Sequence, residues 1–221
     1  MQKLKLISNT ILLLIGNGQH AKVVLDIVTE NQTYDNIYLF DISSHSNKNF
    51  NFKDISIKIL NMEEIKNFEK DKCIYFVAIG DNSIRKKEFE KLKLQNFKSI
   101  NIISKNSQIS PLHKIGEGNL INNGVIINHS CKIGDNNIFN TKVSLDHDNI
   151  ISNNNHLCPG VTCAGGVNIS NNVFVGTGSI LDKNVSIGEN CFISPGSVVT
   201  KDISSNKKIL SSRNQIIKPV E

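Results

Sequence analysis

The chain has 221 residues, no tryptophan, 6% aromatic residues and a net charge of +5. This length accommodates two modest domains with buried cores, and the positive balance favours anionic ligands. The lysines are dispersed, with no basic stripe and no interleaved aromatics, so the pattern speaks against nucleic-acid binding.

The apolar run Ile11 to Ile15 is far too short to span a bilayer and is followed by a glycine turn rather than a cleavage site. Neither a membrane span nor a signal peptide is expected, and a cytoplasmic enzyme is the default. The five cysteines, Cys73, Cys131, Cys158, Cys163 and Cys191, form no CxxC pair and read as small core residues in a reducing compartment.

Ile11 to Ile15 reads as a buried strand entering the turn Gly16-Asn17-Gly18-Gln19-His20-Ala21. Val23, Val24, Ile27 and Val28 then have helical spacing, and a second strand, Ile37 to Phe40, ends at Asp41. Strand, glycine turn, helix, strand and acid in this order suit a small dinucleotide-type unit. Its helix N-terminus can hold phosphate and its acid can bond a ribose or base. A tight strand-to-helix turn without a ligand is the competing reading.

The Asn- and Ser-rich stretch Ser43 to Asn51 is expected to be a loop. A third strand, Ile74 to Ile79, leads into Gly80-Asp81-Asn82-Ser83 and a charged helix from Ile84, whose Arg85 and Lys86 are placed to approach an anion or to form a solvated face. Lys98 to Ile103 leads onward, with Ser104 to Ser107 as the junction. The expected domains are therefore 1–103 and 104–221.

From Ile109 to Val199 an apolar residue recurs at every sixth position without interruption. Neither a 3.6-residue helical period nor simple strand alternation produces this, whereas six is the rung length of a hexapeptide β-helix. Burying each large member of the column is worth about 1.5–3 kcal/mol, enough to order the Asn- and Gly-rich sequence between. Residues two before the column, such as Val125, Cys131, Val143 and Val161, are small or β-branched and should share the narrow interior. Asn, Gly and Asp pairs between rungs suit corners that need positive φ. About 18 residues make one turn of the coil. The fold class is thus a small Rossmann-like α/β domain followed by a parallel β-helix.

Asp146-His147-Asp148 sets an imidazole between two carboxylates just past the column residue Leu145. A histidine there can take a proton near neutral pH, with a carboxylate fixing its tautomer, although a plain surface histidine fits the same spacing. His156 follows half a turn later, and His129 stands one turn before His147. Stacked histidines raise a metal reading, but these spacings do not assemble three converging ligands, and no metal is expected.

GNGQHAKVVLDI at 16–27 and AIGDNSIRKK at 78–87, followed by coils carrying LDHDNIISNNNHLCPGVTCAGGVNIS at 145–170, resemble the NeuD/PglD-type bacterial sugar acetyltransferases. The resemblance covers nearly the whole chain. It implies a left-handed coil, a homotrimer with sites between subunits, and acetyl-CoA lying between neighbouring prisms. It makes His147 the catalytic base with Asp148 as its acidic neighbour, while His156 lines the same site. Gly165 and Thr177 match the acetyl-CoA groove, and Gly16, Gly18, His20, Asp41, Gly80, Asn82 and Arg85 match the acceptor region. The C-terminal motif of the family is replaced by Ser211-Ser212-Arg213-Asn214-Gln215, leaving Lys207, Lys208 and Arg213 to meet the CoA phosphates.

The implied activity is acetyl transfer from acetyl-CoA to a nucleotide-linked 4-amino-4,6-dideoxy sugar for surface glycan, without a covalent enzyme intermediate. An O-acetyltransferase of sialic acid or a related sugar, a non-catalytic nucleotide-sugar-binding scaffold and, on the glycine turn alone, a nicotinamide-dependent oxidoreductase are the alternatives.

Overall fold

The computed structural model describes residues 10–31, 34, 36–43, 48–111 and 114–210. Its N-terminal half is a six-stranded sheet in the order β3-β4-β2-β1-β5-β6. These are β1 (Ile11–Ile15), β2 (Asn36–Asp41), β3 (Lys48–Phe52), β4 (Ile55–Asn61), β5 (Cys73–Val77) and β6 (Lys98–Ser99). All pair in parallel except β3, which folds back antiparallel on β4. Two helices, α1 (Gln19–Asn31) and α2 (Asn82–Leu94), follow β1 and β5. Leu12 and Leu14 of β1 face one core and Leu13 and Ile15 the other, as expected for a strand buried on both faces. No helix among the described residues is long and apolar enough to cross a membrane.

The loop expected from Ser43 to Asn51 is corrected at its C-terminal end, because residues 48–52 form β3. Phe50 and Phe52 lie partly buried against the core shared with α1, and this anchorage outweighs the weak strand preference of the surrounding Asn and Lys. Residues 44–47 lie outside the described set.

The C-terminal half is a left-handed parallel β-helix whose two-residue strands stack into sheets of seven, six and five strands. The first face carries Leu120–Ile121, Ile138–Phe139 and His156–Leu157. The second carries Ile126–Ile127 and Ser144–Leu145, and the third Lys132–Ile133 and Ile150–Ile151. The sixth-residue column is the inside of this prism: from Ile121 to Val199 its members are all buried, together with the smaller residues two positions earlier. The first face also gains a rung at each end, Ile102–Ile103 and Lys208–Ile209.

Every corner from Gly118 to Gly196 contains one left-handed residue, again at a six-residue interval. Glycine or asparagine fills most of these positions, with Ser130, Lys142 and Asp148 as exceptions. On the edge between the third and first faces, a buried asparagine ladder replaces apolar contacts. The side-chain oxygens of Asn119, Asn137 and Asn155 accept from the backbone N–H groups of Asn137, Asn155 and Val173, one turn on, at 2.7–2.9 Å.

Ile102, Leu120 and Ile138 point outward from the first face yet are buried, in one cluster with Ala21, Val24, Leu25 and Val28 of α1. The α/β domain therefore sits on the lower first face. Apolar outward residues recurring every turn are the sequence signal of this packing.

Candidate active site

The residues expected to bind the acceptor converge. Gly16, Gly18, His20, Asp41 and Gly80 line one cavity of about 430 Å³ at the C-terminal ends of β1, β2 and β5, the crevice where open α/β sheets bind ligands. Gly16 has φ 121°, and a Cβ there would lie 2.8 Å from the Ala78 carbonyl oxygen, so no other residue fits without displacement. A Cβ at Gly18 would meet nothing within 4 Å. Asp41 accepts hydrogen bonds from the Ser43 backbone and hydroxyl, both at 2.8 Å, and from the Asn17 amide at 3.3 Å.

Arg85 departs from its expected role. Its side chain is fully buried, and its donors are taken by the backbone carbonyls of Asn136, Asn154 and Asn155 on the prism, those of Ile79 and Gly80, and Asn82 Oδ1, at 2.8–3.3 Å. Burial pulls its guanidinium down to about 9, still protonated at neutral pH. Arg85 is a tie between domains rather than a ligand for an incoming anion. Asn82 shares this work, donating to the Val173 carbonyl at 3.1 Å.

His156 stands on the first face directly above that tie. Its Nδ1 lies 3.0 Å from the Gly80 carbonyl oxygen, which fixes the proton on Nδ1 and leaves Nε2 as the acceptor. The ring centroids of His20 and His156 are 6.1 Å apart. Burial first, and the nearby Arg85 charge second, lower both imidazoles to about 4, so both are neutral at physiological pH. Phe174 meets the His156 ring edge-on at 5.3 Å and stacks on Phe192. Together with Gly80 and Asn82 they line a second hollow of about 510 Å³.

His147 occupies the corner between the second and third faces, opposite the first face of the same prism. Its Nδ1 lies 2.7 Å from Asp148 Oδ2, and its ring stacks on His129 with centroids 5.7 Å apart. Asp148 is itself the left-handed residue of this corner, φ 61°, which turns its carboxylate back onto the preceding side chain. The hydrogen bond to Asp148, followed by the charge of Asp146, raises the imidazole above its usual 6.5. Asp146 is held below the usual carboxylate range by the His147 backbone N–H and the Asn128 amide.

The remaining expected residues separate. Gly165 lies one turn beyond His147 on the same corner, and a Cβ there would come within 2.6 Å of the imidazole, so the absent side chain makes room for the ring. Thr177 is exposed on the corner between the first and second faces, and Lys207 is exposed at the last rung. Arg213 lies outside the described residues. One chain therefore unites the residues expected at the acceptor with His156, and His147 with Gly165, but leaves these two groups on opposite sides of the prism.

Residues 11–92 match the family described as PglD N-terminal domain, and residues 166–201 match bacterial transferase hexapeptide (six repeats). Among solved structures, PerB from Caulobacter crescentus in complex with CoA and GDP-perosamine is 28% identical, covering 89% of this chain and 92% of that one, with TM-score 0.81. A mutant of perosamine N-acetyltransferase from the same organism, also holding CoA and GDP-perosamine, is 27% identical over 94% of this chain and 97% of that one, TM-score 0.83. The acetyltransferase domain of PglB from Neisseria gonorrhoeae, at 24% identity over 90% of this chain and 97% of that one, shares the fold with TM-score 0.82. With a PglD-type domain and a hexapeptide coil in one chain, and such agreement along nearly its whole length, the protein is a hexapeptide-repeat acetyltransferase resembling the NeuD/PglD type.

Proposed function

We propose that this protein transfers the acetyl group of acetyl-CoA to the amino group of a nucleotide-linked 4-amino-4,6-dideoxy sugar, with His147 as general base. The observation that carries this reading is the His147–Asp148 pair at 2.7 Å, in a chain that matches perosamine N-acetyltransferase over both domains. Asp148 holds the proton on Nδ1 and leaves Nε2 free. That nitrogen takes a proton from the acceptor amine as the amine nitrogen attacks the thioester carbonyl; the C–S bond then breaks and the departing CoA thiolate is protonated. All five cysteines are buried, so none is a convenient acyl carrier, which favours direct transfer within a ternary complex.

The acceptor nucleotide occupies the cavity at Gly16, Gly18, His20, Asp41 and Gly80, where the start of α1 supplies backbone N–H groups for a diphosphate. Acetyl-CoA runs past His156 and Thr177 towards Lys207, with Gly165 across the groove. His147 and Gly165 stand on the side of one prism opposite His156 and the acceptor cavity, so the working site needs the His147 corner of one copy set against the first face of another. A closed threefold ring satisfies this requirement for every copy at once.

Purified protein incubated with acetyl-CoA and a panel of sugar nucleotides should release free thiol with a 4-amino-4,6-dideoxy sugar nucleotide. Release seen only with sialic acid or its CMP conjugate would replace the N-acetyl reading by O-acetylation. Light scattering should return three times the chain mass, and full activity in a stable monomer would remove the shared site.

A further inference from the structure

On the edge that carries His147, the inward corner position is apolar or sulfur-bearing in the adjacent turns, Cys131 below and Val167 above, both being buried. Asn149, between them, is fully buried too. Its Nδ2 donates to the Asp146 carbonyl at 2.6 Å, the Ala164 carbonyl at 3.1 Å and the His147 carbonyl at 3.4 Å. Its Oδ1 is buried without a partner. The opposite amide orientation would press that oxygen against three carbonyls, so the donors face the turn.

A burial of this kind is costly, and the cost is not explained by the ladder seen on the other asparagine edge. There Asn119, Asn137 and Asn155 each accept the backbone N–H of the following turn. Asn149 accepts nothing, and all its donors are spent on the Asp146–His147 backbone and the carbonyl preceding Gly165. Cys131 adds a weak thiol hydrogen bond to the same Asp146 carbonyl at 3.1 Å. The Asp146 side chain in turn accepts the His147 backbone N–H at 2.8 Å.

We infer that Asn149 is a positioning residue that clamps the 146–148 turn from inside the prism and so holds the His147 imidazole on Asp148. The inference rests on the reading of His147 as the base for its effect on rate, but not for its effect on the imidazole itself. An exposed histidine on a corner has side-chain freedom of its own, and a fixed backbone removes the part of that freedom that would carry Nδ1 out of reach of the carboxylate. Small misplacements of a catalytic group are expensive, about 100-fold in rate for roughly 1 Å.

The test is Asn149→Val, the residue found one turn above, with Asn149→Cys, the residue one turn below, as a second variant should valine fail to fold. Histidine-labelled protein is titrated by NMR without substrates, and turnover is measured separately. In either variant the His147 titration should move down towards the ordinary histidine value, kcat should fall about tenfold, and the KM for both substrates should change less than about twofold. An unchanged His147 titration with unchanged kcat in a folded variant overturns the inference and leaves Asn149 a packing residue. If His147→Ala retains activity, the base assignment fails instead, while the NMR shift in Asn149→Val still decides the clamp.

Discussion

Removing the imidazole of His147 removes the proposed proton acceptor without touching the buried column, because the side chain stands half-exposed on a corner. His147→Ala should therefore lower turnover by about 100- to 10,000-fold while the circular dichroism and oligomeric state stay as in the parent. A loss confined to acetyl-CoA affinity would instead make His147 a recognition residue. Asp148→Asn separates charge from shape, since asparagine tolerates the left-handed backbone that Asp148 adopts. With His147 as the proposed base, its raised imidazole predicts that activity is lost as pH falls through a value above the usual 6.5. Without the Asp148 carboxylate that acid limb should move to lower pH and kcat should fall, less than in His147→Ala; an unmoved limb in the kcat/KM profile would leave Asp148 without influence on the base.

Among the elements, the β1–α1 turn offers the cleanest probe of the acceptor. A side chain at Gly16 collides with the β5–α2 connection, so its loss of function would mix binding with folding. At Gly18 a side chain enters open space. Gly18→Val and Asp41→Ala should each raise the acceptor KM at least about tenfold with acetyl-CoA affinity nearly unchanged; a matching rise for both substrates would place the nucleotide elsewhere. The β1–α1–β2 unit was legible because its glycine turn and apolar strand lie within one short stretch. The β3–β4 hairpin was not, since Asn and Lys outnumber the two phenylalanines that anchor it. Arg85 looked like a ligand because its six partners are mostly backbone carbonyls, three of them on the prism 51–70 residues away, and carbonyls leave no mark in a sequence. The six-residue column, by contrast, marked the coil at every rung from Ile109 to Val199. It stopped short of the last rung, where one step from Val199 to Ile203 is four residues long, and of Ile103, which stands in phase six residues before Ile109.

For the whole molecule, the contact between domains carries a pH dependence. His20 and His156 sit in it with imidazoles near 4, whereas an unfolded histidine titrates at about 6.5. Between those values the unfolded chain binds more protons than the folded one, so stability falls as pH drops through this window and is fully present above it. The melting temperature should hold from pH 8 to about 6.5 and decline towards pH 4.5, with a shallower decline in a His20→Asn, His156→Asn double variant. A profile that is flat to pH 5 would contradict the burial of the pair.

The unbroken spacing of left-handed corners also governs how this half of the chain can change in length. Deleting or inserting one residue in a rung would turn every later column residue from the inside of the prism to its surface and would place β-branched or proline residues, such as Val161 or Pro159, where positive φ is required. Single-residue indels within the coil are therefore close to lethal for the fold, while gain or loss of a complete turn leaves all three faces in phase. The length of the coil is quantised, and lineages carrying it should differ from one another by whole turns, with smaller length changes gathered beyond the short step at Val199 to Ile203, where the phase has already been given up.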